Sequence, residues 1–265
     1  MDTACGDWAN AAVVMSNEAA SAAGNRMTKR LPRDAEDGIP AMVDFEHPGI
    51  SARSARSLDA AAMACAETAG DWVDAMTAED RQGMVVAFYE AESLAAMALD
   101  QAITQVGPDF RDALVVQRTD ESRHVDVFSR WGGAVRPLSA PRIRKRDDHV
   151  WFTLLLVNEL TGYCQFMMLH ALLESPGERQ AVREICADEQ EHIARLMGWM
   201  DPVMKSRRAR ACEAIVLRFR RGLEGRMHQF FPREELRPLR DAMSGHVDGL
   251  LETLFPGTGP AADGR

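Results

Sequence analysis

Tyrosine and cysteine are scarce in this chain: 2 and 5 of 265 residues. The cysteines (Cys5, Cys65, Cys164, Cys186 and Cys212) are odd in number and form no C-x-x-C pair. They read as free thiols in a reducing cytoplasm rather than as a disulfide framework. No apolar run approaches the ~20 residues needed to span a bilayer. The longest, 150–157, has the length of a core segment. The start of the chain carries Asp2 and lacks the basic and apolar regions of a signal peptide. A positive excess is also missing, and the net charge of −9 does not suit nucleic-acid binding. No flavin or nicotinamide fingerprint occurs, and no segment reads as a strand.

What is present is helical patterning in a chain long enough for one substantial domain. Hydrophobic residues make up 46% and charged residues 27%, the balance of a globular protein. Residues 1–50, rich in Ala with scattered Gly and Pro, read as a flexible arm. Helices are expected at 54–76, 80–106, 109–132, 148–174, 178–200, 203–229 and 233–254, with a disordered tail at 256–265. Gly107-Pro108, Gly132-Gly133 and Ser175-Pro176-Gly177 supply the stops. Residues 134–146, with Pro137 and Pro141, read as an extended connection. Its thirteen residues reach up to ~43 Å, enough to cross a bundle of ~36 Å.

One string type occurs twice. Asp120-Glu121-Ser122-Arg123-His124 and Asp188-Glu189-Gln190-Glu191-His192 both read Asp-Glu-x-x-His. Residues three apart on a helix project from one face, so Glu121 with His124, and Glu189 with His192, can each reach one metal. A stripe glutamate precedes each motif, Glu92 and Glu159. Glu92 lies 15 residues before Gly107 and Glu121 lies 14 after it; Glu159 lies 17 before Pro176 and Glu189 lies 13 after it. In two antiparallel hairpins these residues fall at matching depths. Glu90 competes with Glu92, but helix phase and depth both favour Glu92.

The two halves look like a repeat, with Glu92 to Glu159 spanning 67 residues and Glu121 to Glu189 spanning 68. Four carboxylates and two imidazoles are the ligand set of a two-metal site in a helical bundle. Two divalent ions would balance four carboxylates, which are costly to bury alone. Asp120 and Asp188 are expected to accept from the ligand histidines.

On Glu92, DESRH, Glu159 and DEQEH, residues 84–200 resemble the ferritin-like superfamily of di-iron carboxylate proteins. The doubled motif looks most like the oxygen-activating branch: bacterial multicomponent monooxygenases, the ribonucleotide reductase small subunit and p-aminobenzoate N-oxygenases. The resemblance implies an all-α ferritin-like four-helix bundle at about 80–200 within a single domain over 51–255, with extra helices on both sides. It implies two iron ions, or iron with manganese, with O2 as co-substrate. Where these relatives carry a radical tyrosine, a threonine and an additional histidine, this chain carries Phe128, Tyr163 and Ile185.

The expected function is an O2-dependent non-haem di-iron oxygenase that hydroxylates, N-oxygenates or desaturates a small organic substrate, free or carrier-bound. The alternative is a ferroxidase or iron-handling protein. Tyr163, one turn beyond Glu159, is a candidate catalytic or pocket residue, and Gly162 beside it leaves room for substrate. His170 is expected to be a core or rim histidine. Electrons come from an external reductase or ferredoxin, and a homodimer is the expected assembly. Two basic stretches, 134–146 and 205–226, are candidate docks for an acidic partner. The second holds eight basic residues against Glu213 and Glu224.

Overall fold

The computed structural model describes residues 50–134, 138–139 and 144–258. The arm expected at 1–50 therefore lies outside the described residues except for Ile50, as do 259–265 of the tail. Every regular element among the described residues is helical. The long helices are α1 (Ala52–Trp72), α2 (Ala78–Gln105), α3 (Pro108–Arg130), α4 (Asp148–Leu172), α5 (Pro176–Met204), α6 (Ala209–Arg221), α7 (Leu223–Phe230) and α8 (Arg237–Leu254).

Their ends follow local chemistry. Ser51 and Ser175 accept from Ser54 N and Glu178 N at the starts of α1 and α5. Thr77 and Asp80 form a reciprocal capping box at the start of α2, satisfying two orphan backbone donors. Proline stands in the first turn of α3 and α5, where its missing N–H costs no helical bond. Two expected boundaries differ. The segment expected at 203–229 is two helices broken at Gly222, and α5 runs on to Met204 through Pro202. Pro256–Thr258, expected to belong to a disordered tail, form a short turn in which Thr258 is buried.

Helices α2 and α3 form one antiparallel hairpin and α4 and α5 another. Gln82 near the start of α2 donates to Gly132 O beyond the end of α3. Thr153 near the start of α4 meets Met200 near the end of α5. Gly107 N, between α2 and α3, donates to Asp148 at the start of α4, and Trp151 Nε1 donates to Gln105. The chain thus leaves α3 at one end of the bundle and enters α4 at the other. The connection therefore joins opposite ends of the bundle, and residues 135–137 and 140–143 of it lie outside the described residues.

Helix α4 is the centre. It is buried on nearly all sides, from His149 and Trp151 through Leu172, as an all-round apolar helix must be. It packs against α5, α1, α6 and α8. Each fully buried Leu or Phe there contributes about 1.5–3 kcal/mol. Alanines 55, 62, 66 and 69 form the buried face of α1 and let it approach α4 closely.

Gly133, where the chain turns off α3, has no room for a side chain. A Cβ there would stand 2.7 Å from Tyr89 Cβ, 2.8 Å from Val85 O and 2.9 Å from Phe128 O. Two of those atoms are backbone and cannot yield. Gly133→Ala should therefore destabilise the fold by about 1–3 kcal/mol. Gly70→Ala, on a helical position with nothing within 4 Å, should be neutral or stabilising by up to about 1 kcal/mol. Thermal unfolding of the two variants checks the contrast, and equal Tm values would contradict it.

Candidate metal centre

The four bundle helices bring six side chains into one buried layer. Glu92 comes from α2, Glu121 and His124 from α3, Glu159 from α4, and Glu189 and His192 from α5, all buried. They form two overlapping groups, Glu92/Glu121/His124/Glu189 and Glu121/Glu159/Glu189/His192. Within each group the nitrogen and oxygen atoms lie within 4.8 Å of one another. Glu121 and Glu189 belong to both groups, and Glu92 and Glu159 to one each. Glu90 belongs to neither.

The shared role of Glu121 is visible atom by atom. Its Oε2 lies 3.5 Å from His124 Nδ1, and its Oε1 lies 3.5 Å from His192 Nδ1. His124 Nδ1 also lies 3.1 Å from Glu92 Oε2 and 3.6 Å from Glu189 Oε1. His192 Nδ1 lies 3.3 Å from Glu159 Oε2. Both rings thus turn Nδ1 inward to the carboxylates.

The outward nitrogens are held crosswise. His124 Nε2 lies 3.0 Å from Asp188 Oδ2, and His192 Nε2 lies 3.2 Å from Asp120 Oδ2. The aspartate of each motif thus serves the histidine of the other. The hydrogen bond from His192 and that from Arg123 hold Asp120 down at about 2. A carboxylate only accepts, so Nε2 of each ring carries a proton and Nδ1 is the atom that could bind a metal. Arg123 spans both aspartates, donating to Asp120 and, at 3.2 Å, to Asp188. It is 59% exposed and closes the layer toward solvent.

Burial and repulsion from Glu159 and Glu92 push Glu121 well above the usual carboxylate range. Burial, Glu159 and Glu121 do the same to Glu189. Burial alone would lower the two imidazoles, but their carboxylate partners outweigh it. His124 rises well above its ordinary value, and His192 rises from 6.5 to about 9. Glu159 is lowered: hydrogen bonds from Glu189 and His192 overcome its desolvation. Without a metal, protons take the part of the cations. Glu121 Oε1 nevertheless has no hydrogen-bond partner although it is buried. A buried carboxylate oxygen left unmatched, in a set of carboxylate and imidazole donors, fits a divalent first-row ion.

Two further residues complete the site, and sequence reasoning did not single them out. Gln117, one turn before Glu121, donates from Nε2 to Glu159 Oε1 at 2.8 Å and is wholly buried. Its spacing of four from Glu121 was the available signal. Arg123 sits inside the first motif, but nothing in the string distinguishes a bridging arginine from a solvated one.

A cavity of about 110 Å³ opens onto the layer. Its lining includes Glu92, Glu121, Glu159 and Glu189, together with Gly162, Phe166, Phe230, Asn158 and Arg226. Tyr163 is not on this cavity. Its hydroxyl accepts from Gln190 Nε2 at 2.7 Å, and burial raises its pKa. Gly162, its neighbour, does line the cavity. A Cβ there would sit 3.7 Å from Phe166 and 3.9 Å from Glu189 Oε2. His170 is buried in α4 and belongs to neither ligand group.

The basic segment 205–226 divides. Arg207, Arg208 and Arg210 are exposed. Arg220 is not part of a free patch, because it is 8% exposed and pairs with Asp248 and Glu252. In the other stretch Arg144 and Lys145 are exposed, while Arg136 and Arg142 lie outside the described residues. Cys65, Cys164, Cys186 and Cys212 are free and buried. No helix among the described residues is long and apolar enough to cross a membrane. No protein-family model, curated protein or solved structure matches the chain.

The paired groups predict two divalent ions per chain by elemental analysis. Glu92→Ala should leave about one, and Glu90→Ala should retain both. The raised His192 and carboxylate pKa values mean that loading displaces protons. Affinity should therefore weaken as pH falls below about 9, and calorimetry in buffers of different ionisation enthalpy should report the release. A folded-state pKa raised from 6.5 to about 9 stabilises the metal-free chain fully below 6.5 and is lost as pH rises through 9. Glu121 and Glu189 act in the same direction. Metal-free Tm should fall across that window, and Tm of the loaded protein should fall much less.

Proposed function

We propose that the chain is an O2-dependent non-haem di-iron oxygenase of ferritin-like architecture, acting on a small organic substrate. The observation that carries this reading is the cavity: two overlapping carboxylate–histidine groups share Glu121 and Glu189 and open onto a partly apolar space. About 110 Å³ is of the order of the ~150 Å³ apolar cavity that admits benzene. An iron-storage protein needs a path for hydrated ions, and walls of Leu94, Ala95, Phe166 and Phe230 suit an organic body better.

Bound iron would supply O2 reduction and substrate oxidation, with electrons from an external donor. The chain's own residues would do the positioning. Asp120 and Asp188 hold the histidines with Nδ1 inward, and Gln117 orients Glu159. Gly162 leaves the approach to Glu189 open. Phe88, Phe128 and Phe166, stacked within 5.1–6.1 Å of one another, exclude water on one side. Phe128, at the position of a relative's radical tyrosine, is part of that packing.

Protein loaded with iron(II) and supplied with a chemical reductant should couple O2 uptake to an oxygenated product from a panel of small organic compounds. Glu121→Ala should abolish this coupling, by at least ~100-fold. Iron oxidation that builds a soluble mineral core and yields no organic product would support the ferroxidase reading instead. Gly162→Val should cut turnover at unchanged metal content, whereas Tyr163→Phe should leave turnover within about twofold, because its hydroxyl faces Gln190. An effect confined to Tyr163→Phe would reverse this assignment.

The exposed Arg207, Arg208 and Arg210 are the proposed dock for an acidic electron donor. Exposed charge is screened over ~10 Å at 0.1 M salt. Arg207→Glu/Arg208→Glu should slow partner-driven turnover several-fold at low salt and leave turnover with a chemical reductant unchanged. An equal loss with both electron sources would refute the dock.

A further inference from the structure

Arg226 is the cation on the cavity wall among the described residues, and the metal layer does not use it. Helix α6 breaks at Gly222, and the short α7 that follows carries Arg226, Gln229 and Phe230 onto the cavity. Two nearby arginines are each held by a set of acceptors that includes carboxylates. Arg220 holds Asp248, Glu252 and Thr258. Arg240 holds His228, Phe231 O and Glu234.

Arg226 has no such set. Its Nη1 donates to Asn158 Oδ1 at 3.3 Å, and its Cζ lies 4.1 Å over the ring of Phe219. Among the described residues it makes no ion pair with a carboxylate, Glu90 included, although Glu90 lines the same cavity. Phe219 covers one face of the guanidinium, so its remaining donors are directed in the plane. A guanidinium has five N–H donors in a fixed fork. A two-pronged carboxylate is the partner that fits its geometry.

The carboxylates of the metal layer line the same cavity, and the layer is neutral in sum when four carboxylates meet two divalent ions. Ala91, Leu94 and Ala95 add aliphatic surface to the lining, beside the polar Glu90, Thr161, Gln165 and Gln229. We infer that the substrate is a short-chain monocarboxylate, its carboxylate bound by Arg226 beside Asn158 and its alkyl body extending toward Glu159 and Glu189. This rests on the oxygenase reading for the word substrate, but the anion site itself does not.

Hexanoate and its neutral analogue hexanamide separate the two. Calorimetric titration of zinc-loaded protein, which binds metal but cannot react with O2, should show hexanoate binding at least tenfold more tightly than hexanamide. Arg226→Gln should weaken hexanoate at least tenfold and leave hexanamide within about twofold, with Arg226→Lys intermediate. Metal content and Tm are followed in the same samples. Equal affinity for acid and amide on the wild-type protein overturns the inference whether or not the variants fold. So does hexanoate binding that survives in folded Arg226→Gln, which would place the carboxylate on the metals. Arginine-dependent binding in a protein that shows no O2-coupled product with any substrate would uphold the anion site and overturn the oxygenase reading.

Discussion

Four carboxylates share one buried layer, and the rest of the molecule is arranged around the cost of keeping them there. Isolated ionised carboxylates do not persist in an apolar interior. Here the compensation comes from two imidazoles facing inward, from protons raised onto Glu121 and Glu189, and from the divalent ions the donor set fits. Removing any one of these leaves the others mismatched, which is why burial of the layer argues for metal more strongly than the presence of acidic residues does.

The outer ring of contacts explains how the layer keeps its geometry. Each histidine is gripped by the aspartate of the opposite motif, so neither hairpin can orient its own ligands alone. Arg123 joins the two aspartates across the pseudo-symmetric pair. Gln117 performs for Glu159 a task that has no counterpart among the hydrogen bonds of Glu92. The two halves are therefore similar in ligand type and unequal in support, and the cavity lies against the resulting asymmetric wall.

Helix α4 links this centre to stability. It contributes one ligand, Glu159, and otherwise almost only apolar contacts. Helices α1 and α8 add a further layer of packing beyond the bundle, α1 against α4 and α8 against α1. Helix α7 packs against α8 and α2 and brings Arg226, the cation on the cavity wall among the described residues, to the site.

Helix positions, the stops between them and the six ligand candidates were legible in the sequence, because helical period and hairpin depth are local arithmetic. Two residues at i and i+3 share a face wherever the helix is placed, and glutamates equidistant from a turn share a depth in any antiparallel hairpin. The long connection before α4 was legible for a similar reason: its length and prolines allow little else. The aspartates were identified as acceptors, but their crosswise pairing was not, since which histidine each one reaches depends on how the two hairpins pack. The sequence likewise could not separate Tyr163 from Gly162. They are neighbours about 100° apart on α4, and only the position of the bundle's other helices decided that the glycine faces the cavity and the tyrosine faces Gln190. Arg220 and Arg226 present the same limit: six residues apart in one basic stretch, one is tied into ion pairs and the other faces the cavity, because the break at Gly222 turns the chain between them.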